Sequence, residues 1–477
     1  MTTVTLNAWT GEGAGVRGTF GPRAVAWALG GAGREIPQRL KPEEPPDWKD
    51  WRDPRVGWGV ILPERGSGGA FTDADLAAGA DAPGAIRKLI AERQNQVPWP
   101  VPIFRYRAGA PVGERLRSLR NLAAGRDLST AGSGIGTRPV ELPKYLLIVG
   151  SPREIPWQLQ YVLSASRGVG RLDLPPDGLE RYVAALLGGW AGSAADLHKA
   201  VLWSVVHDAG DITAVMRNLV ARQVHKLLAD DDDIGPAGAR FLDATVDPDQ
   251  ATRGALANAL AADRPALVVS TSHGKTGPLG ADDAARAEML RDLGMPVDQD
   301  FKLLDPDALL SAWQPDGAIW YAHACCSAGS SADSAFAGLF APGGEIERVL
   351  MAVAALGDQT APLPTRLLGA EKPLRAFLGH VEPTFDWTLK EPGNGQPLTA
   401  ALCSAIYPGL YLGEPPGLAF ERWQGQAGAF HRLAAELDAR VAEGEMPGEE
   451  ALFPRLAWRD VESTVLLGDP TAALPVA

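Results

Sequence analysis

Cysteine is scarce in this chain of 477 residues: there are three, Cys325, Cys326 and Cys403. An odd count with two adjacent gives no disulfide framework. No apolar run reaches the length that spans a bilayer, and the opening Met1-Thr-Thr-Val-Thr-Leu-Asn7 lacks the basic and apolar regions of a secretory leader. Basic residues are outnumbered, 45 Lys and Arg against 58 Asp and Glu, for a net charge of −13. That balance excludes nucleic acid as the main partner, because phosphate recognition needs a basic footprint. No Gly-x-Ser-x-Gly elbow and no Walker loop are present, which removes two large hydrolase and NTPase classes. Gly13-Ala-Gly-Val-Arg-Gly18 matches the dinucleotide fingerprint, but Thr19-Phe-Gly-Pro22 follows where a helix should start, so no cofactor is expected. The absences together read as a cytoplasmic protein with free thiols and no membrane association.

What is present is globular in kind, with 45% hydrophobic and 22% charged residues. The length exceeds one compact core, so two or three domains are expected. Residues 1–140 are rich in Gly and Pro and show few helical patterns. Short strands are expected near 3–9 and 57–62, and a helix over 83–94. The Gly-rich stretch 131–137 is the candidate boundary. This region is read as an accessory or regulatory domain. From residue 145 the pattern becomes apolar run, polar loop, helix, apolar run, with runs at 145–150, 200–206, 266–272 and 318–326. Helices are expected over 213–229, 252–262 and 331–340. The run 348–356 is ambiguous by periodicity, and 464–470 reads as a last strand. Such alternation predicts an α/β fold with a mainly parallel sheet and right-handed crossovers. Residues 141–390 form the expected core, closed by a C-terminal extension over 391–477.

Two runs end in chemistry. The first is Ala266-Leu-Val-Val-Ser-Thr-Ser-His273-Gly274, and the second ends Ala322-His-Ala-Cys-Cys326-Ser-Ala-Gly329. Runs apolar on both faces fit buried parallel strands, and ligands of open α/β sheets gather at the carboxyl ends of such strands. An imidazole and a thiol delivered there make a proton partner and a nucleophile. Cys326 is the expected nucleophile, with Cys325 as the alternative. The N–H groups of Gly274 and Cys326 are the expected oxyanion hole. No third, orienting residue is visible. His323 with the two cysteines is not read as a metal site, since neighbours on a strand face opposite ways and zinc needs four spaced ligands.

At these residues the chain resembles the caspase-like cysteine peptidases of clan CD. Ser272-His273-Gly274 fits the family's His-Gly turn, and Cys326-Ser-Ala-Gly-Ser330 is similar to its Cys turn. Residues 145–150, Ile155-Pro156, Val169-Gly-Arg-Leu172 and the terminal Leu467-Gly-Asp-Pro-Thr471 resemble the gingipain-type and CHAT-type bacterial members. The resemblance covers about residues 141–477 in patches. It implies a three-layer sandwich with a mainly parallel six-stranded sheet, and an endopeptidase with a Cys326–His273 dyad acting on protein or peptide substrates. It also implies a bacterial defence or regulated-death setting, with an upstream activating protease or signalling partner. By analogy with pockets of that family, Asp358, or else Asp333, is expected to receive a basic residue before the scissile bond. Residues 275–301 are expected to form a mobile loop beside the site. A non-catalytic scaffold of the same fold, binding protein partners, is the alternative function.

Overall fold

The computed structural model describes residues 3–6, 16–19, 21, 24, 44–64, 71–111, 113–280, 282–444, 448 and 451–475. In the unit spanning residues 1–46, β1 (Thr3–Leu6) and β2 (Val16–Thr19) pair antiparallel. The unit from Asp47 onward is built on one large sheet. Its strands are β3 (Trp58–Pro63), β4 (Ile103–Tyr106), β5 (Ser118–Asn121), β6 (Arg126–Ser129), β7 (Tyr145–Val149), β8 (Gly168–Leu172), β9 (Asp196–Ser204), β10 (Ala239–Asp243), β11 (Pro265–Thr271) and β12 (Ile319–His323). A separate two-residue ladder, β13 (Gly329–Ser330) with β14 (Gln359–Thr360), follows β12 in the chain. β15 (Ala376–His380) and β16 (Thr464–Gly468) return to the large sheet.

The strand order is β10-β9-β11-β12-β15-β16-β8-β7-β3-β4-β5-β6. β10, β9, β11, β12 and β15 are parallel to one another, and so are β16, β8, β7, β3 and β4. The two blocks meet at the antiparallel pair β15/β16, so their carboxyl ends emerge on opposite edges. Both faces are covered, which is why the central strands lack alternation. In β11, Val268 joins one apolar cluster while Leu267 and Val269 join the other; in β12, Trp320 and Ala322 face one way, Ile319 and Tyr321 the other. The α/β class with a mainly parallel sheet is as expected, but the sheet has twelve strands where six were expected.

Two expectations are corrected, the boundary near residue 140 and the helix over 331–340. The boundary expected near residue 140 falls within the sheet, because β3 to β6 pair onto β7. The region 391–477 supplies β16, the last strand expected over 464–470, which lies between the two parallel blocks. The run 348–356, ambiguous by periodicity, lies largely in the helix Glu345–Ala354, which buries Leu350 and Val353 one turn apart. Residues 331–340 form turns in place of a helix. There the buried carboxylate of Glu382 accepts hydrogen bonds from the Ser334 hydroxyl at 2.7 Å and the Ala335 N–H at 3.1 Å, and so holds the chain in a local loop.

Beneath the carboxyl ends of β12 and β15 lies a buried polar cluster. His323 hydrogen-bonds Tyr321 at 2.7 Å through Nδ1, and its ring packs edge-on against His380 with centroids 4.7 Å apart. His380 Nδ1 is 3.7 Å from Asp460 Oδ1. Asp460 Oδ2 accepts from the hydroxyls of Thr388 (2.6 Å) and Thr384 (3.0 Å). Burial pushes the Asp460 carboxyl up to about 7, against the lowering effect of those donors. It pushes both imidazoles down.

The folded chain therefore holds the Asp460 proton to about pH 7, whereas an unfolded carboxyl releases it near pH ~4. The folded state binds more protons between those limits, so this residue's contribution makes stability fall as pH rises across that window and level off above it. Asp460→Asn, which keeps an acceptor for the threonines, is expected to match the parent near pH 4 and to be more stable at pH 8. The slope removed is at most about 1.4 kcal/mol per pH unit. Urea denaturation across that range measures it, and an unchanged difference at pH 5 and pH 8 counts against a protonated buried carboxyl.

Candidate functional site

β11 is flanked by two parallel partners, with Thr271 opposite Ser204 of β9 and His323 of β12. The loops leaving these three strands therefore rise together from one edge. β11 continues into His273-Gly274 and β12 into Cys325-Cys326, and the two turns touch through backbone. A Cβ placed on Gly274 would stand 1.9 Å from the Cys325 carbonyl oxygen and 3.1 Å from its nitrogen. Only glycine allows that approach.

The imidazole of His273 is partly exposed and oriented from below. Its Nε2 lies 3.0 Å from Asp211 Oδ2. Asp211 begins the helix Ile212–Met216, where its other oxygen accepts from the Thr213 N–H at 2.7 Å and from the Thr213 hydroxyl. Partial burial raises the Asp211 carboxyl, but the Thr213 donors and His273 together outweigh it and hold the group below the usual range. An ionised Asp211 accepts only, so Nε2 carries the hydrogen and Nδ1 is left for other chemistry. The ring's face is covered as well. His207 stacks on it with centroids 5.4 Å apart and planes within 3°. His207 is held by its Nε2, 2.9 Å from the Asp298 carbonyl, and carries the exposed ring of Phe301 on its far side at 4.1 Å.

The cysteines sit differently from one another. Cys326 is fully buried and has φ +55°, in the left-handed region that non-glycine residues seldom enter. Its N–H donates to the Glu382 carbonyl at 3.2 Å. Its side chain lies in an apolar cluster with Met289, Leu293, Val353 and Leu356. Burial pushes that thiol well above its ordinary value. Cys325 keeps some exposed surface, yet its sulfur accepts from the Thr384 N–H at 3.4 Å, and burial raises it to about 11. Cys403 belongs to a helix elsewhere, its sulfur 3.8 Å from the Leu219 carbonyl.

Of the two expected oxyanion donors, the Cys326 N–H is engaged by Glu382. The Gly274 N–H makes no hydrogen bond among the described residues. Asp358 follows a helix rather than a strand, and its Oδ1 accepts from the Ala332 N–H at 3.0 Å, tying down the segment after Cys326. Asp333 is exposed on that segment. Residues 275–301, expected as a loop, contain the helix Asp283–Asp292. Among the described residues, no group of three or more His, Cys, Asp and Glu is placed to hold a metal ion. Also among them, no helix is long and apolar enough to cross a membrane.

Asp211 and His207 escaped the sequence reading. The signal was available, because the rule that singled out His273 and Cys326 applies equally to β9. The apolar run ending at Val206 is followed by His207-Asp-Ala-Gly-Asp211. Comparison with models of known protein families, with curated proteins and with solved structures finds no match to this chain.

The contact between the two turns has a direct test. Gly274→Ala forces a methyl into the Cys325 carbonyl and is expected to cost about 1–3 kcal/mol in chemical denaturation, as overpacking does. Gly425→Ala, in a helix with nothing within 4 Å, is the matched control and should stabilise by about 0.5–1 kcal/mol. Equal behaviour of the two variants would refute the contact.

Proposed function

We propose that this chain is a caspase-like cysteine endopeptidase acting through Cys326 and His273, with Asp211 orienting the imidazole. The observation that carries the reading is the backbone contact between the His273-Gly274 and Cys325-Cys326 turns at the carboxyl ends of adjacent parallel strands. Nδ1 of His273 is free there to exchange a proton. In the reaction, the Cys326 sulfur gives its proton to His273 Nδ1 and forms a bond to the peptide carbonyl carbon. In this proposal the Gly274 N–H receives the negative oxygen. As the carbon–nitrogen bond breaks, the imidazolium returns the proton to the leaving amine, and a thioester remains. Water, deprotonated by the same imidazole, then releases the carboxylic acid and restores the thiol.

A preference for a basic residue before the scissile bond would fall to Asp358, or else Asp333, and rests on the family analogy, since the run before Asp358 is a helix. The cytoplasmic setting rests on the free cysteines and the opening sequence, and the defence or regulated-death pathway and an upstream activator rest on the family resemblance alone. One observation favours the second reading, a non-catalytic scaffold: the Cys326 thiol has no exposed surface and its proton is held tightly by burial.

Separate Cys326→Ala and Cys325→Ala variants, assayed on a peptide library, distinguish these readings. Loss with the first alone supports the assignment, loss with the second alone moves the nucleophile by one residue, and activity surviving both removes thiol chemistry. Asp211→Asn can keep the Thr213 cap through its amide oxygen, but it loses the charge and turns a donor toward His273 Nε2. It is expected to lower kcat about 10²-fold with KM little changed, the scale on which misoriented catalytic groups act. An unaltered kcat would show that His273 needs no orienting partner.

A further inference from the structure

The segment between His273 and Leu304 covers the thiol it would have to expose. It contributes two side chains to the apolar cluster around Cys326, Met289 near the end of the helix Asp283–Asp292 and Leu293 just after it. Val353 and Leu356 close the cluster from the other side. Backbone seals what remains: Gly294, at φ +66°, lies so near that a Cβ there would stand 2.0 Å from the Cys326 carbonyl oxygen. A peptide carbonyl cannot reach the sulfur while these groups are in place.

The attachments of this segment are uneven. Its base is stitched to the sheet edge. Lys275 N–H donates to the Met295 carbonyl at 3.0 Å, Gly294 N–H to the Lys275 carbonyl at 2.9 Å and Val297 N–H to the His273 carbonyl at 2.9 Å. The buried Asp298 carboxylate accepts from the N–H groups of Arg253, Asp300 and Lys302. Among the described residues, the helix itself shows no such ties. It caps itself through Asp282, its side-chain ion pairs are Lys275–Glu288 at 3.8 Å and Arg291–Asp292, and Asp283, Arg286 and Arg291 face solvent. Leu279 and Gly280, before the helix, are exposed, and Gly294, after it, has the left-handed backbone suited to a hinge.

We propose that the helix Asp283–Asp292 is a plug, hinged near Gly280 and Gly294, that keeps the thiol latent until it swings outward. The inference deepens the peptidase reading and rests on it for its purpose, but its mechanics concern Cys326 alone. Withdrawing Met289 and Leu293 opens the apolar cluster to water, which removes the burial that holds the proton on sulfur.

Alkylation of the native chain by iodoacetamide, mapped by mass spectrometry, tests this. Cys326 should react at least 10-fold faster in a Met289→Ala/Leu293→Ala variant than in the parent, while Cys403 stays protected in both as the control for folding. Equal Cys326 rates with Cys403 protected would overturn the plug. Should Cys403 react too, the variant has unfolded, and hydrogen exchange on the parent chain decides. Amides of the helix Asp283–Asp292 exchanging about 100-fold faster than those of β12 support the plug, and equal protection overturns it. If Cys326 becomes reactive but no peptide is cleaved, the plug stands and the peptidase reading falls.

Discussion

The parallel register of β9, β11 and β12 is the constraint on which everything at this edge depends. Thr271 is level with Ser204 on one side and His323 on the other, and side-chain hydrogen bonds pin that alignment. The Ser204 and Thr271 hydroxyls meet at 2.8 Å, and the Trp320 indole donates to the Ser270 hydroxyl at 2.8 Å. Both bonds are buried, so slipping the register would leave polar groups without partners as well as reversing which face each side chain occupies. With the register fixed, three loops have no freedom over where they begin. Asp211, His273 and the cysteine pair are neighbours because the strands beneath them are.

The sequence made this edge legible, and the physical reason is burial on both faces. β11 and β12 are continuous apolar runs that end abruptly in reactive residues, a pattern that survives without any alignment. The parts that stayed illegible lack that signature. β5 and β6 read Ser-Leu-Arg-Asn and Arg-Asp-Leu-Ser, four residues each, with one apolar residue apiece, at the far edge of the sheet. Nothing in them distinguishes strand from loop until β4 is beside them. The run ending at Leu356 is apolar enough for either state, and tertiary packing of Leu350 and Val353 made it a helix. Asp211 was hidden for another reason. It lies seven residues beyond the end of β9, and only the cap it forms on the next helix brings it under His273.

Local rules are broken at the site. Cys326 holds a left-handed backbone that costs a non-glycine residue about 1–2 kcal/mol. Gly274 and Gly294 allow backbone approaches that no other residue tolerates. Just below, His323, His380 and Asp460 each leave one buried polar atom without a partner. Positive φ and orphaned buried atoms also occur elsewhere, as at Trp190, Arg264 and Asp316 and on Arg105 and Tyr161. What marks this edge is the coincidence of a strained cysteine with an imidazole held by a carboxylate.

That coincidence also bears on the tension between the two readings of Cys326. A buried thiol is a poor nucleophile, because the thiolate must form in surroundings that disfavour charge. Yet an inert, structural cysteine would need neither a strained backbone nor an imidazole held by a carboxylate on the adjoining strand. Asp211 is already engaged with Nε2, and the backbone of Cys325 abuts Gly274 beside it. The burial of the thiol and the preparation of the imidazole are therefore compatible if they belong to different states of one site, the first closed by Met289 and Leu293 and the second waiting beneath.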